Sequence, residues 1–92
     1  MTRVRSGDGV RPTGRQKVAM RTMLRSLLGE IDFSRLCLGI KVGTIDEDAL
    51  QIFAPTESCA ADIRLHHCED FAVAAEYAIG RPVRTVNVLS AD

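Results

Sequence analysis

Apolar residues in the first half of the chain recur every three or four positions, which is the spacing of a helix with one buried face. This pattern predicts a helix over residues 15–28, ended by Gly29, because glycine readily takes a left-handed conformation at a helix end. A short second helix is expected over residues 33–38, with Asp32 as its N-cap and Gly39 as its end. The apolar stripe that the first helix is expected to bury consists of Met20, Met23, Leu24, Leu27, Leu28 and Ile31.

The pattern then changes to the alternation of a β-hairpin. Residues 40–45 and 49–54 are expected to be its two strands, joined by the polar turn 46–48. Pro55 ends the second strand, because proline has no amide hydrogen with which to extend the ladder. A last strand is predicted over residues 83–89.

Between the hairpin and the last strand, the sequence predicts one continuous helix of about six turns. It is expected to begin after Pro55 and to end at Gly80, a residue suited to a helix stop. Its buried stripe is predicted to be Ala61, Leu65, Cys68, Phe71, Ala72, Ala75, Ala78 and Ile79.

These elements follow one another in the order α-α-β-β-α-β, which indicates an α+β domain with helices packed on a three-stranded sheet. The 92 residues suffice for one compact domain, expected here over residues 15–92. Residues 1–14 contain three glycines, one proline and few large apolar side chains. They are therefore predicted to form a flexible basic arm or a linker.

Charge is unevenly distributed, although the whole chain is neutral. Residues 1–25 carry seven basic side chains and one acidic one, whereas residues 26–92 carry five basic and eleven acidic ones. The two parts thus have net charges of +6 and −6. This asymmetry is typical of a basic arm attached to an acidic body.

The sequence contains no signal for a membrane or for secretion. No apolar run is long enough to span a bilayer, and the N-terminus lacks the apolar segment of a signal peptide. The chain is therefore expected in the cytoplasm, without membrane contact. The odd number of cysteines (Cys37, Cys59 and Cys68) then indicates reduced thiols that pack as small apolar side chains.

One segment gathers the residue types that bind zinc, since thiolate and imidazole groups are its usual ligands. However, adjacent histidines followed directly by a cysteine match no common ligand spacing, and no fourth ligand is apparent. We favour the alternative, a solvated helix in which Cys68 is buried and no metal is bound. The residues concerned are Cys59, Asp62, His66, His67, Cys68, Glu69 and Asp70.

The sequence offers no catalytic constellation. Cys68 follows His67, but neighbouring helix residues point about 100° apart and do not form a nucleophile–base pair. The phosphate-binding patterns G-x-G-x-x-G and G-x-x-x-x-G-K-[ST] do not occur. We therefore expect a protein that is not an enzyme and that uses no cofactor.

The basic arm and the start of the first helix could contact nucleic acid through phosphates, which requires only arginine and lysine within reach. No aromatic residues are interleaved with these cations for base stacking, and the G-x-x-G loop of KH-type RNA-binding domains does not occur. Non-specific phosphate contact and a solvated tail both stay open as alternatives. The cations concerned are Arg3, Arg5, Arg11, Arg15 and Lys17.

Two motifs together resemble those of a known family. The pair Phe33-Ser34 is followed by a hairpin that ends in the segment 50–55, LQIFAP, and leads into an amphipathic helix. This combination, over residues 17–89, resembles the N-terminal domain of the bacterial replication initiator DnaA. The resemblance implies a small KH-like module without catalytic activity. Such a module self-associates weakly and docks the replicative helicase and initiation regulators.

The resemblance also implies which residues contact a partner. Asp32 stands where the family has the acidic residue that carries docking. Ser58 stands where the family has an aromatic residue that helps to bind the helicase. The family's two tryptophans are also missing: Leu36 replaces one, and Lys17 lies near the position of the other. Since aromatic anchors often carry most of the energy of an interface, these departures favour a different partner, in replication-initiation control or transcriptional regulation. A weak homodimer is a further alternative.

The exposed side of the first two helices is thus expected to bind a protein partner. Leu36 is expected to act as an apolar anchor there if it lies outside the core. The residues assigned to this role are Arg21, Arg25, Asp32, Arg35, Leu36 and Ser58.

Overall fold

A three-stranded mixed sheet carries four helices in the part of the chain that the structure, a computed structural model, describes: residues 11–37 and 39–90. The α+β class predicted from the sequence is confirmed. The elements, in chain order, are α1 (Gly14–Leu28), α2 (Glu30–Cys37), β1 (Lys41–Asp46), β2 (Ala49–Ala54), α3 (Glu57–His66), α4 (Cys68–Ile79) and β3 (Thr85–Ser90).

Strand β2 lies in the centre of the sheet, antiparallel to β1 and parallel to β3. Its two ends coincide with those predicted, and both predicted hairpin strands are confirmed, with β1 displaced by one residue. Leu50, Ile52 and Ala54 alternate with half-buried residues along β2, so one face of the sheet is in the core and the other is partly open. The register of β1 shifts between Val42 and Ile45, which interrupts its pairing with β2.

The predicted single helix after Pro55 is wrong, because the chain forms two helices that meet at His67. His67 has φ −132° and ψ 8°, and its amide donates to the Ile63 carbonyl, which closes α3. Charge favours a boundary here: Arg64 and His66 lie in the last turn of α3, whereas the first turn of α4 is acidic. Cations at a helix C-terminus and anions at an N-terminus are both stabilised by the helix dipole.

The side chains buried along α3 differ from those predicted. Ala60 and Ile63 are buried in α3, whereas the predicted Leu65 is 76% exposed and Ala61 is only partly covered. The stripe predicted as continuous is therefore wrong in its first half, where Ala60 and Ile63 take the buried positions assigned to Ala61 and Leu65. In α4 the predicted burial of Phe71 is confirmed.

The two N-terminal helices begin earlier than predicted. Thr13 caps α1 by accepting a hydrogen bond from the Gln16 amide (3.1 Å), while the Gln16 side chain accepts one from the Thr13 amide (2.8 Å). Helix α2 begins at Glu30, so Asp32 lies inside its first turn, and the prediction that Asp32 is the N-cap is wrong. Residues 1–10, most of the predicted arm, lie outside the described residues.

The core lies between the helices and the inner face of the sheet. Helix α1 packs against α4 and α2, and α3 packs against β2 and β3. Met20 and Leu24 from α1 join Phe71 from α4 in one buried cluster. Within the described ranges, no helix combines the length and apolar composition that crossing a membrane requires.

Candidate functional site

The exposed side of α1 and α2 carries most of the residues that the sequence assigns to partner binding. We call it the α1–α2 face and define it by Arg21, Arg25, Ile31, Asp32 and Arg35. All five are exposed or half-buried. Two shallow depressions indent this face, one of about 270 Å³ that includes Arg21 and Arg25, and one of about 420 Å³ that includes Ile31 and Asp32.

Arg25 is held in place by two contacts from α2. Its guanidinium lies over the Phe33 ring, 5.0 Å from the ring centroid, and its Nε lies 3.4 Å from Glu30 Oε1. Phe33 itself is 7% exposed and belongs to the buried core, and the cation lies over the face of its ring. The first half of the α1–α2 face thus presents a positioned guanidinium.

Arg35 joins α2 to α3 through two carboxylates. Its Nη1 donates to Asp62 Oδ2 at 2.8 Å, and its Nη2 donates to Asp32 Oδ1 at 3.3 Å. The hydrogen bond from Arg35 holds the pKa of Asp62 below its ordinary value, and the bonds to Asp62 and then Asp32 raise the pKa of Arg35. The structure therefore brings Asp32 and Arg35 together in one charged network. This network includes Asp62 of α3, which the sequence did not connect with them.

Ser58 lies on α3, four residues before Asp62 and therefore on the same side of that helix. Its side chain is exposed, beside the end of the charged network. Thr56, not Ser58, caps α3, since its hydroxyl accepts a hydrogen bond from the Cys59 amide at 3.1 Å. Ser58 is thus available at the rim of the α1–α2 face.

Leu36 belongs to the core, with 2% of its surface exposed, so it does not serve as an apolar anchor. The most exposed large apolar residue in the described parts of α1 and α2 is instead Ile31, at 82%. Sequence reasoning placed Ile31 on the buried stripe of the first helix. Gly29, with φ 88° and ψ 162°, interrupts the helix in a conformation open essentially to glycine alone, and so resets the phase of the following residues.

A second surface adjoins the first and is lined by cations. Arg11, Lys17 and Arg21, from α1 and the residues before it, face Lys41 of β1 across a cleft of about 500 Å³ that we call the basic cleft. Residues 40–44 and the side chains of Gln51 and Phe53 complete it.

The basic cleft unites part of the predicted nucleic-acid set with residues that sequence reasoning missed. Arg11 and Lys17 line it, whereas Arg15 does not, and Arg3 and Arg5 lie outside the described residues. Lys41 joins it only through the fold, because no pattern in the sequence connects β1 with the start of α1.

The described lining of the basic cleft is positively charged. None of the described lining residues is acidic, and within residues 11–37 and 39–90 its four cations form no ion pair. Arg21 lines both the basic cleft and the first depression of the α1–α2 face, so the two surfaces are continuous.

The residues considered as zinc ligands are divided between α3 and α4. Across the described ranges, no three His, Cys, Asp or Glu side chains come close enough together to hold one metal ion. Cys59 Sγ donates to the Leu36 carbonyl at 3.6 Å, and burial raises the pKa of both the Cys59 and Cys68 thiols. These thiols are therefore weak nucleophiles at neutral pH.

No protein-family model matches the chain, and no curated protein sequence matches it either.

Proposed function

We propose that this chain is a non-enzymatic, KH-like protein-docking module, similar to the N-terminal domain of the replication initiator DnaA. Its partner belongs to the bacterial machinery of replication-initiation control or transcriptional regulation. The observation that carries the proposal is Ile31, which is 82% exposed beside Asp32 at the start of α2. This is the place at which the resemblance puts the docking residue.

The arrangement of the α1–α2 face suits docking because its charged groups are already positioned. Arg25 rests on Phe33, and Arg35 is fixed between Asp32 and Asp62. Side chains that are ordered before binding lose less conformational freedom when the partner arrives. The face is therefore preorganised around Ile31.

The face also indicates the chemistry of its partner. Ile31 requires an apolar pocket, because burying a large aliphatic side chain favours association. Arg21 and Arg25 favour carboxylates on the partner, and such charge pairs set orientation and association rate more than affinity. The expected partner surface is a small apolar pocket with an acidic rim.

Crosslinking in the native host tests the proposal. A photoreactive benzoylphenylalanine at position 31 is expected to capture a protein of the replication or transcription machinery, which mass spectrometry identifies. The same group at position 65 is the matched control, since Leu65 is 76% exposed but lies on α3. Equal capture of the same protein at both positions contradicts the proposal, and a product containing only this chain assigns the face to a homodimer.

A second candidate function, nucleic-acid binding, is favoured by the basic cleft. Four cations, with no acidic residue in the described lining of the cleft, form a surface that phosphates would neutralise, with release of counterions. The test is the dependence of DNA affinity on salt for the wild type and for Lys17→Gln. Deleting residues 1–14 is a poorer test, because it removes Thr13, which caps α1.

A further inference from the structure

We propose that the basic cleft holds a segment of single-stranded nucleic acid, with Phe53 as the surface on which a base stacks. This inference rests on the second candidate function, nucleic-acid binding. It adds Lys41, Gly43, Gln51 and Phe53, none of which belongs to the basic residues identified from the sequence.

The cations lie on both walls of the cleft. Arg11, Lys17 and Arg21 stand on the α1 side, and Lys41 stands on the β1 side. All four side chains are exposed. A phosphate backbone running between the walls would therefore contact cations on both sides, which a flat basic patch does not provide.

An aromatic ring lies in the same cleft. Phe53 is directly opposite Lys41 in the β1–β2 register, and it is half-buried on the open face of the sheet. A Cβ atom placed on Gly43 would lie 2.9 Å from Phe53 Cε2 and 3.0 Å from Gln51 Cβ, so only glycine allows the ring to lie across β1. The cleft thus combines a ring, a side-chain amide from Gln51 and phosphate-binding cations, which is the combination that single-stranded nucleic acid requires.

The strand edge decides against an acidic peptide as the occupant. A peptide that adds to β1 needs a regular row of unpaired amides and carbonyls. The register of β1 shifts between Val42 and Ile45, within the part that lines the cleft, and Lys41 places a charge on the same edge. Irregular pairing and lysine are both features that prevent strand addition.

Fluorescence anisotropy with labelled oligomers tests the inference. The probes are oligo-dT and oligo-U of about 12 nucleotides, within the site sizes of single-strand binders, and a DNA duplex of similar length. Phe53→Leu is expected to weaken single-strand binding about fivefold or more and to leave duplex binding unchanged, because leucine keeps the apolar contact and removes the stacking face. Phe53→Tyr retains the ring and is expected to retain binding. The ratio of dT to U affinity identifies DNA or RNA as the preferred source.

Charge variants distinguish binding in the basic cleft from general electrostatic attraction to the protein. Lys41→Gln is expected to reduce the slope of log affinity against log salt by about 0.7, the value for one phosphate contact on a single strand. Arg15→Gln is the matched control, since Arg15 lies on α1 and is exposed but does not line the cleft. Circular dichroism of each variant verifies that it is folded.

Four results would overturn the inference. If Phe53→Leu binds single strands as the wild type does, or if Arg15→Gln and Lys41→Gln have equal effects, binding is diffuse, and only the second candidate function survives. If polyglutamate of equal charge displaces the labelled oligomers as effectively as unlabelled oligo-dT, the cleft binds acidic polymers in general rather than nucleic acid. Absence of binding to any nucleic acid removes both the inference and the second candidate function.

Discussion

Arg35 shows how one side chain connects the candidate site to the stability of the fold. Its hydrogen bond to Asp62, at 2.8 Å, joins α2 to α3 and lowers the pKa of the Asp62 carboxyl. A carboxyl with a lowered pKa in the folded state contributes stability above its unfolded-state pKa, about 3.9. That contribution is lost as the pH falls through the lower pKa of the folded state.

Asp62→Asn is therefore expected to reduce stability at pH 7 and to have less effect in acid. Urea unfolding at a series of pH values measures the difference between variant and wild type. The difference in the free energy of unfolding is expected to have its full value at neutral pH. It is expected to shrink below about pH 3.9, where the wild-type carboxyl becomes protonated in the unfolded chain. Glu47→Gln, an exposed acid in the turn between β1 and β2, is the control. A difference that is constant with pH would contradict the role given to the Arg35–Asp62 pair.

Ile31 and Leu36 have exchanged the roles that the sequence pattern suggested for them. Leu36→Ala is expected to lower the free energy of unfolding by about 2–5 kcal/mol, because it leaves a cavity in the core. Ile31→Ala is expected to change it by less than about 0.5 kcal/mol, because the side chain is already in solvent. Chemical denaturation of the two variants checks both values. Equal losses would contradict the burial of 2% and 82% described for these residues.

At the scale of the elements, local signals predicted the strands well and the helices less well. The alternation of apolar residues fixed β2 at residues 49–54, because period two and a flanking proline leave little choice of register. The break at His67 escaped prediction because apolar residues continue at helical spacing across it. The reversal from basic to acidic side chains between His66 and Glu69 was the available signal.

Gly43 links the geometry of β1 to the basic cleft. Gly43→Ala is expected to destabilise the fold by about 1–3 kcal/mol, because the added methyl group would overlap Phe53 and approach the backbone of Gln51 at 3.2 Å. Gly14→Ala is the matched control, since a Cβ there meets nothing within 4 Å. Thermal unfolding distinguishes the two. Equal melting temperatures for both variants would show that the ring does not lie against Gly43.

For the molecule as a whole, the sequence indicated candidate binding residues, whereas the tertiary structure determines which of them lie together. The resemblance indicates Asp32 and Ser58 for partner binding, and the exposed side of the first two helices adds Arg35. The fold places all three around the junction of α2 and α3. Lys41 and Phe53 could not be assigned to a site with Lys17 from the sequence, because only the fold brings them to the lining of one cleft. Residues that are distant in sequence can be assigned to one site only when the tertiary structure is known.

The basic cleft and the α1–α2 face share Arg21, so the two candidate binding surfaces are connected through one cation. Lys17, Arg21 and Arg25 of α1 line the basic cleft or the first depression of the α1–α2 face, while the acidic first turn of α4 lies elsewhere in the fold. A protein partner on one surface and a polyanion on the other would therefore compete for or share Arg21. Arg21→Gln is expected to weaken both interactions, which affinity measurements with each ligand alone would detect.

The affinity of the purified chain for the protein captured at position 31 tests the central claim most directly. Titration by biolayer interferometry compares the wild type with Ile31→Ser and with Leu65→Ser, two equivalent losses of an exposed aliphatic side chain on different helices. We expect Ile31→Ser to weaken binding about tenfold or more, as for an interface anchor, and Leu65→Ser to leave it within about twofold. Equal affinities for the two variants, or a larger loss for Leu65→Ser, would contradict docking through the α1–α2 face.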